Sequence, residues 1–113
     1  MSLRVIHNVL LHIKDDAAQE DIDRFSNAMI ELKTNALIPG IFSFSYGKYE
    51  SNEGLNKNYN YGFSMVFDSV EARDNYLPHP EHDRVKELIL PLLQDGINSV
   101  IAFDYVLHGE NEI

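Results

Sequence analysis

The 113-residue sequence has no cysteine and few basic residues, 9 lysines and arginines against 18 aspartates and glutamates. Without cysteine, a disulfide framework, a thiolate zinc site and a cysteine nucleophile are all excluded, and a reducing compartment is favoured. The formal charge of −9 repels phosphate backbones and anionic lipid, and no basic stripe offsets it. Nucleic acid and membrane surfaces are therefore not expected partners.

Long apolar runs and glycine-rich motifs are also missing from the chain. No apolar segment approaches the roughly 20 residues that span a bilayer, and the first residues lack a signal-peptide cleavage pattern. No phosphate loop, nucleophile elbow or dinucleotide fingerprint is present, so nucleotide, flavin and nicotinamide chemistry have no support. We expect a cytoplasmic protein without a cofactor.

The patterning predicts a single α+β domain over residues 1–113, with an ordered part of about residues 4–107. Alternating apolar residues predict strands over residues 4–14, 41–49, 59–67 and 97–107. After the first strand, the spacing predicts an amphipathic helix that starts at a capping pair, Asp16 and Gln19, and carries an apolar stripe of Ile22, Phe25, Met29, Leu32 and Ala36. Ser69 caps a short helix, and another helix starts at Pro80. The order β-α-β-β-α-β predicts a ferredoxin-like fold with a four-stranded antiparallel sheet.

The face of this sheet that points away from the helices is predicted to be apolar as well. Alternation assigns to it Ile6, Leu10, Val66, Val100, Ala102 and Val106. A bare apolar face marks a contact surface, and pairing two copies about a two-fold axis buries it. We therefore predict a homodimer that forms through the sheet faces.

Two imidazoles and a phenol cluster in the segment 76–83, where the second long helix begins. His79 precedes a proline, which favours extended backbone, and Pro80 suits the first helical position. His79 is thus predicted to be the N-cap. His82 then lies in the first turn, where the helix dipole disfavours protonation. Such a cluster is compatible with catalysis, with metal binding or with a simple helix start.

These motifs resemble those of the stress-responsive dimeric α/β-barrel family over almost the whole chain. The matching residues are His7, Ile38-Pro39-Gly40, Gly47, Glu53-Gly54-Leu55, Tyr59, Phe67-Asp68-Ser69 and Tyr76-Leu77-Pro78-His79-Pro80-Glu81-His82. The resemblance implies a ferredoxin-like protomer and a barrel formed by two sheets. Many members of this family have no assigned activity.

One branch of the family, plant polyketide cyclases resembling olivetolic acid cyclase, catalyses an intramolecular aldol condensation. The resemblance implies that Tyr76 and His82 occupy the catalytic positions of that branch, with His7 and His79 close to the same pocket. Tyr61 stands where the cyclase has a histidine, and Met29 stands where it has a tyrosine. The substrate is therefore expected to differ from that of the cyclase.

Three functional hypotheses remain open. The first is a dimeric protein that binds a small apolar or phenolic molecule between sheet and helices, at a pocket bordered by His7, Met29, Tyr61, His79 and the two catalytic candidates. The second is a cofactor-free lyase or cyclase in which His82 is the general base and Tyr76 stabilises an oxyanion. The third is a purely structural protein.

A metal site is the remaining alternative for the histidine cluster. It would combine His79 and His82 with Glu81 or Asp83. Zinc needs at least three converging ligands, and nothing in the spacing forces either carboxylate toward the imidazoles. No metal is therefore included in the prediction.

Overall fold

A computed structural model describes residues 3–109 of the chain. Its elements are β1 (Val5–Leu11), α1 (Gln19–Thr34), β2 (Ile41–Lys48), β3 (Tyr61–Phe67), α2 (Val70–Tyr76), α3 (Pro80–Ile89) and β4 (Val100–Val106). Two short 3-10 turns, Leu90–Leu92 and Gly96–Ser99, connect α3 to β4. The strands form one antiparallel sheet in the order β2-β3-β1-β4. This architecture confirms the predicted ferredoxin-like fold.

Every strand except β2 begins later than predicted, and so does helix α1. Helix α1 begins at Gln19 with Ala18 as its N-cap residue, and no side chain caps it. Asp16 lies in the preceding turn, too far ahead of the first free N–H groups to act as the cap. Strand β4 begins at Val100 because the residues before it form the 3-10 turn, in which Gly96 has a positive φ of 50°.

The core lies between the inner face of the sheet and helices α1 and α3. Helix α1 buries Ile22, Phe25, Met29 and Leu32 of the predicted stripe, whereas Ala36 lies beyond the end of the helix and is exposed. Helix α3 adds Val85 and Ile89. These side chains form one apolar cluster with buried residues of β1 and β3, among them Val9, Leu11, Phe63, Met65 and Phe67.

The register between β1 and β4 corrects the predicted sheet faces. Val5, Val9 and Leu11 stand opposite Val106, Ala102 and Val100. Directly opposed residues project to the same face of a sheet, and Val9 and Leu11 belong to the core beneath the helices. The assignment of Val100, Ala102 and Val106 to the outer face is therefore wrong.

The outer face of the sheet is nevertheless apolar. On β4 it carries Ile101, Phe103 and Tyr105, and all three are exposed. Ile101 and Tyr105 stand opposite Leu10 and Ile6, and Ile6 also stands opposite Val66 on β3. The predicted outer-face positions of Ile6, Leu10 and Val66 are therefore correct.

None of the helices within residues 3–109 is long and apolar enough to cross a membrane.

Candidate functional site

A cavity of about 200 Å³ lies between the inner face of the sheet and helices α1 and α3. Its buried walls are apolar and include Val9, Leu11, Phe25, Met29, Phe63, Val85 and Leu93. The exposed side chains of Leu77, Leu90 and Ile97 surround its mouth. Among the described residues, its polar lining consists of His7, Tyr76, His82 and Lys86. The cavity is thus an apolar chamber with a small group of functional side chains.

The start of helix α3 brings His82 to this cavity. His79 is the N-cap residue with extended backbone, and Pro80 follows at the first helical position. The Nδ1 atom of His79 accepts a hydrogen bond of 3.0 Å from the Glu81 N–H, which satisfies one of the free donors of the first turn. The cap prediction is confirmed. His79 is not among the residues that line the cavity.

His82 is held as a neutral imidazole with a defined tautomer. Its Nδ1–H donates to the carbonyl oxygen of Leu77 at 2.9 Å, because a carbonyl oxygen can only accept. Burial is the largest cause of the lowered pKa of His82; the hydrogen bond to Leu77 opposes it, and the charges of Lys86 and His7 lower the pKa further. With Nδ1 protonated, Nε2 keeps its lone pair. His82 can therefore accept a proton near neutral pH.

Tyr76 is fully buried beside His82 and has an unpartnered hydroxyl. The two rings stack with their centroids 4.1 Å apart. Within residues 3–109, the Tyr76 hydroxyl has no hydrogen-bond partner. Burial, together with the negative charge of Asp104, raises the pKa of Tyr76 above its usual value. Tyr76 therefore stays protonated and can donate a hydrogen bond.

His7 is positioned by a chain of hydrogen bonds that spans three elements. Its Nδ1–H donates to Oδ1 of Asp104 on β4 at 2.6 Å, and an Arg73 guanidinium nitrogen on α2 contacts Oδ2 of the same carboxylate at 2.6 Å. The His7 ring also lies edge-on to Tyr76, with 5.9 Å between centroids. The chain therefore orients His7 against Tyr76.

Sequence analysis did not identify Asp104 and Arg73. The available signal was a carboxylate inside the otherwise apolar strand Val100–Val106, since a charge in such a strand usually requires a partner. For Arg73, on a largely polar helix, no comparable signal exists.

Tyr61 lies apart from this group of side chains. Its hydroxyl is hydrogen-bonded to the hydroxyl of Ser26, its ring stacks on Tyr46, and burial raises its pKa. It borders a separate, more open groove near Tyr49 and Tyr59. Of the residues predicted to form the pocket, the structure thus brings together His7, Met29, Tyr76 and His82, whereas Tyr61 and His79 lie elsewhere.

The metal alternative has no converging ligand set in the part of the chain that the structure describes. There, no group of three or more histidine and carboxylate side chains is arranged to hold a metal ion. Asp83 instead pairs with Lys86, and Glu81 lies 3.5 Å from Arg84.

Fold and site together define a ferredoxin-like α+β protein with an apolar cavity, lined by two histidines and a tyrosine. The sequence matches the Stress responsive A/B Barrel Domain family over residues 5–107. The chain therefore belongs to this family.

Three known proteins illustrate the relationship. The stress-response A/B barrel domain-containing protein HS1 of Arabidopsis thaliana is 30% identical over 101 residues, covering 89% of this chain and 87% of that protein. Olivetolic acid cyclase of Cannabis sativa is 25% identical over 80 residues, covering 71% and 77%. A crystal structure of a dimeric ferredoxin-like protein of unknown function from Jannaschia sp. superposes with a TM-score of 0.75 at 26% identity, covering 92% and 99%.

Proposed function

We propose that the cavity binds a small, largely apolar molecule that carries a carbonyl or phenolic oxygen. The unpartnered Tyr76 hydroxyl is the observation that carries this proposal. A buried polar group without a hydrogen-bond partner costs about 1–3 kcal/mol. A ligand oxygen that accepts from this hydroxyl would remove the cost, so the protonated Tyr76 favours ligands with such an oxygen.

The volume of the cavity limits the size of this ligand. An apolar cavity of roughly 150 Å³ binds benzene, and the present one has about 200 Å³. A single aromatic ring or a short chain with one small substituent therefore suits the space between Phe25, Met29 and Leu93. Larger ligands would have to extend through the mouth.

A second candidate function, cofactor-free cyclisation, is favoured by the neutral state of His82. In this reaction Nε2 of His82 takes a proton from the carbon next to a ketone, and the C–H electron pair forms an enolate. Tyr76 donates a hydrogen bond to the enolate oxygen. The enolate carbon attacks a second carbonyl of the same molecule, and the resulting alkoxide takes the proton back from His82. The similarity to olivetolic acid cyclase supports this chemistry.

Histidine side-chain NMR with a panel of small phenols and single-ring ketones tests the binding proposal. We expect ligands to shift the signals of His82 and His7, whereas His79, engaged in the helix cap, serves as an internal control. In Tyr76→Phe the advantage of an oxygen-bearing ligand over its hydrocarbon analogue should disappear. If no ligand shifts His82 or His7, the binding proposal fails and the structural hypothesis is favoured.

Catalysis is tested separately, with a short linear triketone as substrate. His82→Gln should abolish turnover while binding of the triketone is retained, because the variant loses the base and keeps the apolar walls. Binding by the wild-type protein without any turnover would reject the cyclase and leave the binding function.

The proposed assembly is a homodimer that buries the outer face of the sheet. Leu10, Ile101, Phe103 and Tyr105 form an exposed apolar surface there, and the related Jannaschia protein is dimeric. Phe103→Glu should shift the mass in light scattering from dimer to monomer. Leu55→Glu, at an equally exposed leucine in a loop, is the matched control and should leave the mass unchanged. A monomeric wild-type protein would reject the assembly.

A further inference from the structure

One charged side chain lies at the mouth of the cavity. Lys86 follows His82 by four residues on α3, and this spacing puts both side chains on the same side of the helix. Lys86 lines the cavity together with His82, and no other lysine, arginine, aspartate or glutamate among the described residues does so. Apart from lowering the pKa of His82, this ammonium group has no role in the functions considered above.

The ammonium group of Lys86 is available to a ligand. Its Nζ lies 3.1 Å from Oδ1 of Asp83, in a pair whose side chains are 47% and 59% exposed. Exposed pairs of this kind contribute little stability, and an ammonium has three donors, so Asp83 occupies only one of them. A second acceptor can bind Lys86 beside Asp83 or in its place.

The residues around Lys86 indicate which kind of molecule carries this acceptor. The mouth is otherwise formed by the apolar side chains Leu77, Leu90 and Ile97, and the walls behind it are apolar. A cation at the entrance of an apolar chamber matches a molecule with one anionic end and an apolar body. The formal charge of −9 for the whole chain disfavours anions in general, so the local cation is needed for such a ligand.

We propose that the cavity selects small carboxylates, with the apolar body inside the chamber and the carboxylate at the Lys86 ammonium. This inference rests on the proposed binding function and narrows it to one chemical class. Lys86 acts as a specificity-determining residue, since it contributes to the affinity for the charged form of the ligand and not for a neutral molecule of the same shape.

The test compares para-acetylbenzoate with para-acetylbenzamide, which has nearly the same shape and no charge; both carry a ketone oxygen that can accept from Tyr76. Dissociation constants are measured from the His82 signals by NMR in the wild-type protein, in Lys86→Met and in Lys86→Arg. Lys33→Met is the matched control, because Lys33 lies in the last turn of α1 and does not line this cavity. All variants carry surface substitutions in helices, and their fold is checked by circular dichroism.

We expect the benzoate to bind the wild-type protein about fivefold more tightly than the benzamide, the upper range for a solvent-screened ion pair. Lys86→Met should remove this preference and leave the benzamide affinity unchanged, whereas Lys86→Arg and Lys33→Met should keep it. Higher salt should reduce the preference, because it screens exposed charges.

Equal affinities for the two compounds in the wild-type protein would overturn the carboxylate inference. So would a preference that persists in Lys86→Met. In both cases the benzamide still shifts His82, so the proposed binding function stands. If neither compound shifts His82, both the binding function for single-ring ligands and the inference built on it are wrong.

Discussion

Replacing Tyr76 by phenylalanine should stabilise the ligand-free protein. This is the opposite of the usual case, in which removing the hydroxyl of a buried tyrosine breaks a hydrogen bond and destabilises the protein. The reason is that the Tyr76 hydroxyl is buried and has no hydrogen-bond partner among the described groups. Burying such a group costs about 1–3 kcal/mol, and the substitution recovers this free energy.

The void left by the oxygen opposes this gain only slightly. At about 24 cal/mol per Å³, a void of roughly 15 Å³ costs about 0.4 kcal/mol. The free energy of unfolding of Tyr76→Phe should therefore exceed that of the wild-type protein by about 0.6–2.6 kcal/mol. The same substitution should weaken binding of oxygen-bearing ligands, so stability and function are expected to change in opposite directions.

Urea unfolding without ligand measures this difference, at one fixed protein concentration because association contributes to apparent stability. Tyr61→Phe is the matched control: the Tyr61 hydroxyl is hydrogen-bonded to Ser26, and its loss should destabilise the protein by about 1 kcal/mol. A loss of about 1 kcal/mol or more in Tyr76→Phe, the value of one hydrogen bond, would show that the Tyr76 hydroxyl has a partner in solution. The Tyr76 hydroxyl would then gain nothing from a ligand oxygen.

Three further predictions concern the residues around the cavity. Because the pKa of His82 is lowered in the folded state, the unfolded chain binds more protons, and the free energy of unfolding should fall as the pH drops below about 6.5. Urea unfolding at a series of pH values should show a smaller fall in His82→Gln. Gly40→Ala should destabilise by about 1–3 kcal/mol, because Gly40 has a φ of +87° and the added methyl group would lie 2.5 Å from the Ala72 Cβ; an unchanged melting temperature would contradict this. Asp104→Asn removes the charge that holds His7, so urea unfolding should show a loss of about 1.5–3 kcal/mol, and a loss below about 0.5 kcal/mol would mean that the ion pair is replaced by water.

The start of α3 shows what can be predicted from neighbouring residues alone. Proline restricts its own backbone and that of the residue before it, so the sequence His79-Pro80 was sufficient to predict the cap and the first helical position. The cause of the His82 pKa shift was only partly predicted. The helix dipole suggested the direction, but burial is the largest contribution, and burial depends on which side chains pack over the ring.

The sequence alone determined three features, because each follows from the spacing between near neighbours. These are the order of strands and helices, the buried stripe of α1, and the position of His82 in the first turn of α3. The tertiary structure decided which face of β4 lies under the helices, because alternation defines two faces without orienting either. It also paired His7 with Asp104, 97 residues apart, separated Tyr61 from the cavity, and left the Tyr76 hydroxyl unpartnered. These contacts depend on strand register and packing between distant segments, which no local pattern encodes.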